Sequence, residues 1–540
     1  MVDEEESKTM STGKDGMVDH HGELLPHLSV SSSKMRYSKL LETAPPNFDK
    51  KYPGSPFWTE MALAQCRFAM KLQFRNIHVT GKDLVPADRG SLCAAWHTNG
   101  FLDPIGIFLN HPRKFVAGGR HDLVHRPFVG FWSKKIALQP VVRQAELIRG
   151  GCTKEEARNL NGRSLLYLSK AVAQGHTCAL FPEGTSHDES HLIRMKTGPM
   201  RTVLSAAALS KSLESNPPVL IPVGLHYRIR HHFRTDYWLE FREPIEVPTE
   251  GIGSEEIELL KQGEWIEPEK ETVFSLRDEL EVKLKEITPG AKTWKEYNSW
   301  KLLSHLDARL NNSKNISWPE EVIGARKFRD IASSQQHEEL FIKSYRAAEI
   351  LDKKGLDGRD LDISGSLKKD NLWLGRGSRI VPWILGLCLM PYFLYSSGIH
   401  FLLAKYLGDK TVSDEGIDAR CSYHLVVIAT GYLVFSPILA IALEVLIYCY
   451  GFSAMSLISI SLSETSSIIV EILCAILLFT ILMFSFRITA HLMAKWYDIH
   501  TDIQRLTKSS KLSKSTEGSE FERLKNEIIE LLKEINQQLS

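Results

Sequence analysis

Cysteine is scarce in this chain: eight residues among 540, scattered, with no CxxC pair and no repeated spacing. That excludes a disulfide framework and a thiolate zinc site, and it fits a reducing compartment for the soluble part. Net charge is lacking as well. Lys+Arg 66 against Asp+Glu 65 leaves +1, so the whole molecule has no polyanion-binding signature and no nucleic-acid partner is expected. The opening residues, MVDEEESKTMSTGKDG, lack an apolar leader, from which we expect the soluble part to stay on the side where it is made. His121 and His125 stand at i, i+4 spacing but no third ligand accompanies them, so no metal is expected.

Charge is also missing locally, and there it is most informative. Ile380 to Ala404 contains no Lys, Arg, Asp or Glu; Ser422 to Phe452 is interrupted only by Glu444, and Ser466 to Phe486 only by Glu471. Each run reaches the roughly 20 apolar residues that cross a bilayer. Basic residues flank the block on both sides, Lys368, Lys369, Arg376 and Arg379 before it, Arg487, Lys495, Arg505 and Lys508 after it. By the positive-inside rule both ends are cytoplasmic, which requires an even number of crossings. Three runs conflict with that count. Either the first run is a re-entrant or interfacial hairpin, with GDKTVSDEGIDAR returning to the cytoplasm, or Ser422 to Ser463 holds two shorter spans. Pro391 in mid-run favours the hairpin. Glu444 is either a functional intramembrane carboxylate or one lying near an interface.

What is present before this block alternates between short apolar runs and helical patterns. Ser91–Trp96, Lys114–Gly118, Leu138–Val142, Thr177–Phe181, Val219–Leu225 and Tyr237–Phe241 read as strands, with helices over Lys154–Gln174 and Pro199–Leu213. This predicts an α/β class, a mostly parallel sheet flanked by helices, followed by a C-terminal helical membrane domain. Residues 1–52 read as a disordered tail, 53–250 as the α/β domain, 251–370 as a helical appendage, 371–490 as the membrane domain and 491–540 as a cytoplasmic helix and tail. Phe57–Phe74 is amphipathic, suited to a membrane interface or to the core of the α/β domain. FERLKNEIIELLKEINQQL near the end spans under three heptads, so a surface or packing helix is expected there rather than a self-sufficient coiled coil.

Two stretches carry candidate chemistry. In CAAWHTNGFLDP an apolar run ends at His97 and a polar turn closes on Asp103 and Pro104. A histidine with a nearby carboxylate suits general-base catalysis, because the carboxylate fixes the imidazole tautomer. The same Asp-Pro pair also reads as a helix start, so the residues leave open whether Asp103 caps a helix, orients His97, or does both. The second stretch, FPEGTSHDESHLIRMKTG, offers Glu183, Gly184 and Thr185, then Arg194 and Lys196. Glycine allows close backbone approach, and hydroxyl and cationic donors suit phosphate oxygens. Between His111 and Arg149 eight Lys/Arg stand against two acids, which also suits a phosphate-bearing ligand. Cys93 lies in mid-strand and reads as core.

Together with QPVVRQAEL and VLIPVGLHYRIRHHFRTDYWLEFREPIEVP, these stretches resemble the glycerolipid acyltransferases in order and spacing, most of all the yeast-type glycerol-3-phosphate and dihydroxyacetone-phosphate acyltransferases. Five residues separate His97 from Asp103, a longer turn than in most of the wider family and similar to that of the yeast-type branch. The resemblance implies that His97 is the base and Asp103 its orienter, that Arg143, Glu183, Gly184, Thr185 and Lys196 bind the acceptor and its phosphate, and that Pro222 shapes the acyl-donor side. It implies no cofactor, acyl-CoA or acyl carrier protein as co-substrate, glycerol 3-phosphate or dihydroxyacetone phosphate as acceptor, and a lipid bilayer as partner. An sn-2 acyltransferase acting on lysophosphatidate, or a non-catalytic membrane scaffold, are the alternatives. The implied location is an integral membrane protein with its catalytic domain facing the cytoplasm, in the endoplasmic reticulum of a eukaryote or the cell membrane of a prokaryote.

Overall fold

The structure, a computed structural model, describes residues 35–49, 52–126, 129–148, 151–250, 252–311, 316–334, 337–369, 377–450 and 464–539. Its centre is a sheet in the order β1-β7-β6-β2-β5-β3-β4, with the short β8 beside β6. The strands are β1 Phe74–Thr80, β2 Ser91–Ala95, β3 Phe115–Arg120, β4 Gln139–Val141, β5 Thr177–Leu180, β6 Val219–Tyr227, β7 Thr235–Phe241 and β8 Ile245–Glu246. β2 to β6 run parallel, while β7 and β8 pair antiparallel with β6 and β1 runs parallel to β7. All six strands read from the sequence are therefore present. β1 was not read, because Arg75, Asn76 and His78 give this edge strand, part of it exposed, no apolar run.

Helices cover both faces. Leu92, Ala94 and Leu220 of the sheet share a core with Met200, Val203 and Leu204 of one helix, Gly198–Ser212, and with Leu276, Leu280 and Leu284 of another, Lys270–Ile287. Lys154–Ala173 packs over Val116 and Cys178, and starts at a capping box in which Thr153 and Glu156 bond each other's backbone. The amphipathic stretch forms helix α1, Pro56–Gln73. It joins the sheet domain to the membrane domain: Phe68 lies edge-on to Tyr432 at 4.8 Å, and Gln65 accepts from Arg487 at 3.0 Å.

Two segments are more integrated than their composition suggested. A single helical turn at Tyr37–Leu41 buries Leu40 against Val142 and Leu160, so packing begins inside the stretch expected to be tail. The C-terminal helix, Thr516–Leu539, shares one core with the middle helices: Phe521, Leu524, Ile528, Leu532 and Ile535 are buried among Trp300, Leu303, Phe328, Leu340 and Leu351. Each such side chain contributes about 1.5–3 kcal/mol, which stabilises a helix too short to persist alone.

Among the described residues three helices are long and apolar enough to cross a membrane, Arg379–Val412, Ile417–Cys449 and Ile468–Leu512. The first corrects the expected hairpin. The chain does not turn back within 380–404; helix Gly377–Phe393 runs through a π turn, Leu394–Gly398, into helix Ile399–Glu415. A wide turn just beyond Pro391 absorbs the ladder irregularity that a proline creates. Residues 420–450 form one helix rather than two shorter spans, and residues 451–463 lie outside the described residues. One end of the first helix nevertheless meets the sheet domain directly, and the other is joined to it through the last long helix. At one end Glu415 pairs with Arg126 at 2.8 Å and with Arg120 at 3.3 Å. At the other, Trp383 donates to His500 at 3.2 Å on the last long helix, whose Asp502 pairs with Arg75 of β1 at 2.7 Å.

This arrangement predicts sidedness. A cysteine introduced at Lys410, near the Glu415 end, and one at Lys533, on the C-terminal helix, should react from the same side of sealed vesicles. Labelling from opposite sides contradicts the arrangement.

Candidate active site

β2, β5 and β6 are neighbours in the sheet, and their carboxyl ends bring His97, Glu183 and Tyr227 to one crevice, where ligands of parallel sheets collect. The His97 ring stacks on Phe181, centroids 4.0 Å apart at 14°. Its Nδ1 lies 2.8 Å from Asp103 Oδ2. The longer turn therefore still closes. Asp103 sits inside the first turn of a helix that begins at Leu102, and its side chain serves the loop before that helix. Oδ2 accepts from the backbone N–H of Thr98 at 3.0 Å and of Asn99 at 2.9 Å, and Oδ1 accepts from Tyr227 at 2.6 Å. Asp103 thus caps the turn and holds His97 at once. Burial and the neighbouring carboxylate raise the Tyr227 phenol well above its usual range, which keeps it a donor. With Nδ1 committed to Asp103, His97 has Nε2 left to accept a proton.

Glu183 is nearly fully buried, at 1 % exposure. Oε2 accepts from the His97 backbone N–H at 2.6 Å; Oε1 accepts from Ile193 N–H at 3.1 Å and lies 2.8 Å from His187 Nε2. Its carboxylate holds the two loops together, with donors on both oxygens. Gly184 follows at φ 72°, and a Cβ there would come to 3.0 Å from Lys196 Cδ. A left-handed turn and the close pass of Lys196 both call for glycine at this position. Gly184 and Thr185 thus follow directly on the carboxylate that holds the His97 backbone, and Lys196 passes over Gly184. Arg143 is bound to Glu146 through two nitrogens at 2.8 and 2.6 Å, and among the described residues no hydrogen bond or ion pair links it to His97 or Asp103. Pro222 is buried in β6 opposite Ala94, below the crevice.

Three supports carried no signal in the sequence. Arg230, 7 % exposed, donates to the carbonyls of Thr98 at 3.1 Å and His187 at 2.8 Å and pairs with Asp188, tying the histidine turn to the FPEGTSHD loop. Burial lowers its pKa to about 10, which leaves it cationic at neutral pH. His187 donates its backbone N–H to His97 O at 3.0 Å. Ser422, at the start of the second apolar helix, accepts from Phe101 N–H at 2.8 Å and donates to Asn99 O at 3.3 Å. Gly100, between them, has φ 47°, and a Cβ there would lie 2.8 Å from Ser422 Oγ. A hydroxyl of the membrane domain therefore seats the turn that joins base and orienter. No sequence pattern marks a lone serine opening an apolar run as part of a site.

Residues 76–226 match the family model Acyltransferase. Over that stretch, which runs from β1 to β6 and includes His97, Asp103 and Glu183, the chain is similar to acyltransferases. Over 79 residues the chain is 33 % identical to glycerol-3-phosphate O-acyltransferase 1 of Saccharomyces cerevisiae, covering 15 % of this chain and 10 % of that protein. It is 40 % identical over 68 residues to glycerol-3-phosphate O-acyltransferase 2 of the same yeast, covering 13 % and 9 %. An uncharacterized acyltransferase of Schizosaccharomyces pombe is 35 % identical over 83 residues, covering 15 % and 12 %. These alignments span about a tenth of each curated relative. The crystal structure of the 1-acyl-sn-glycerophosphate acyltransferase PlsC from Thermotoga maritima aligns over 41 % of this chain and 79 % of its own, at 16 % identity and a TM-score of 0.26.

The geometry around the acyltransferase turn yields two expectations. Ser422→Ala, which removes the hydrogen bonds to Phe101 and Asn99, should lower turnover roughly five- to tenfold and cost about 1–3 kcal/mol in stability, with Ser422→Thr largely restoring the rate. Tyr227→Phe, which strips Asp103 Oδ1 of its donor, should cost about 1–3 kcal/mol in stability, read by denaturant titration in detergent.

Proposed function

We propose that this chain transfers a fatty acyl group from acyl-CoA or acyl carrier protein to the sn-1 hydroxyl of glycerol 3-phosphate or dihydroxyacetone phosphate. The observation that carries this reading is the pair of partly exposed His97 and buried Asp103, 2.8 Å apart, in a stretch that matches the Acyltransferase model and whose yeast relatives are named for glycerol 3-phosphate. Asp103 holds the Nδ1 proton, so Nε2 takes the acceptor's hydroxyl proton as that oxygen attacks the thioester carbonyl. The tetrahedral adduct then expels the thiolate, which recovers the proton from the imidazolium. One ester forms, one thioester breaks, and no acyl-enzyme is needed.

Gly184, Thr185 and Lys196 are assigned to the acceptor phosphate, because they adjoin Glu183, whose carboxylate holds the His97 backbone, and offer amide, hydroxyl and cationic donors. Glu183 acts by holding the backbone of His97 rather than by touching the acceptor. Arg143 is given no place at the phosphate, since Glu146 already occupies its guanidinium, and Pro222 no step, since it is buried within the sheet. No metal or cofactor enters the scheme. The acyltransferase domain faces the cytoplasm in this reading, and the amphiphilic product passes into the bilayer beside it, the endoplasmic reticulum of a eukaryote or the cell membrane of a prokaryote.

Purified protein given labelled acyl-CoA with each acceptor in turn tests the assignment. CoA release with glycerol 3-phosphate or dihydroxyacetone phosphate supports it; release with lysophosphatidate alone transfers it to sn-2 chemistry, and none with any acceptor leaves a scaffold. His97→Ala should lower turnover by about 10² to 10⁴ with folding intact.

A further inference from the structure

A cavity of about 580 Å³ lies away from the catalytic turn, where β1, the end of β6, the middle helices and the two outer apolar helices converge. Seven Lys and Arg side chains line it against three carboxylates, a surplus of four. Much of that charge is internally matched. Arg75 pairs with Asp502 at 2.7 Å and Arg228 with Asp236 at 2.7 Å, and Arg505 pairs with Asp360. Two more carboxylates stand just behind the wall, Asp357 on Arg359 and Glu321 on Arg228. Even with these counted, two positive charges remain over. Lys368 and Arg379 make no ion pair among the described residues, and Arg309 lines the same wall. Burial pushes the Lys368 ammonium below its usual range, and Arg309, Arg379 and Arg505 add to this while Asp360 opposes it.

The position of the cavity is as specific as its charge. Arg379 opens the first apolar helix, and Asp502 and Arg505 stand on the last one. One turn below Arg379, Trp383 stacks with Trp496 at 6.1 Å, and Trp496 with His500 at 5.5 Å. Tryptophan gathers at the headgroup level of a bilayer, so the cavity sits in that plane. It is also distinct from the catalytic crevice. Successive side chains alternate across a strand, so Arg228 faces away from Tyr227, the donor to Asp103.

We propose that this cavity binds a phosphate-bearing anion, a phospholipid headgroup or a water-soluble phosphate, through Lys368, Arg379 and Arg309. The site is independent of the reaction assigned above. Its volume falls in the ordinary range for small-ligand sites, and a phosphate supplies the two negative charges that the wall is short of. The bilayer presents such groups at this depth, in the plane of Trp383 and Trp496.

Melting of the purified full-length protein in neutral detergent, titrated with dioctanoyl phosphatidic acid, dioctanoyl phosphatidylcholine, inorganic phosphate or adenosine 3′,5′-bisphosphate, tests the proposal. A rise in melting temperature with phosphatidic acid, at an apparent affinity weakened about tenfold or more in Lys368→Gln/Arg379→Gln, supports the site and assigns it to lipid. The same variant-sensitive rise with the soluble phosphates supports it and assigns it to a soluble ligand. No rise with any anion, or an equal rise in wild type and variant, overturns it. Native mass spectrometry of both proteins, counting bound phosphatidic acid, gives a readout that does not depend on the variant's own stability, and equal occupancy overturns the proposal.

Discussion

Everything at the reactive end of this protein depends on one fully buried carboxylate. Asp103 receives four donors: the imidazole of His97, two backbone amides of the turn between them, and the phenol of Tyr227. A buried carboxylate left unpaired is costly, so these four donors are obligatory partners that fix the turn in one shape. The long loop of five residues is tolerable only because the carboxylate ties its first half down. His97 inherits its tautomer from the same contacts, and the chemistry inherits its geometry from His97.

The second half of the turn is secured from outside the acyltransferase domain. Ser422 bonds to both Asn99 and Phe101, and Cys421 lies 3.1 Å from the carbonyl of Arg230, the residue that clamps the two catalytic loops. Close by, Glu415 takes up Arg126 and Arg120. The basic residues after the histidine stretch, read in the sequence as a phosphate-binding surplus, are in part consumed by this junction. The apolar helices are therefore part of the structure of the candidate site, and helix α1 lies between them and the sheet domain.

Much of the fold was legible in the sequence. Apolar runs bounded by turn residues marked every central strand, and the absence of charge marked the three long apolar helices. What was missed shares a physical cause: the stabilising partner lay far along the chain. β1 is an edge strand with polar residues whose pairing comes from β7, some 160 residues on. Leu40 and the C-terminal helix looked solvated because the surfaces that bury them belong to other segments. At the site, His97, Asp103 and Glu183 were visible as motif residues. The part Glu183 plays was not, since only the fold shows both of its oxygens occupied. Arg143, which the resemblance implies as a phosphate ligand, is paired with Glu146 three residues on. Tyr227, Arg230 and Ser422 had no local signature, because each acts on a loop more than a hundred residues away.

The central claim is that Asp103 acts on the reaction through His97 while it holds the turn. The most direct measurement is the turnover number of Asp103→Asn, taken with circular dichroism and melting on the same preparation. Asparagine keeps the shape but replaces one acceptor oxygen with a donor, so the account predicts a fall of about 10² or more in a protein that still folds. Turnover within a few fold of wild type contradicts it.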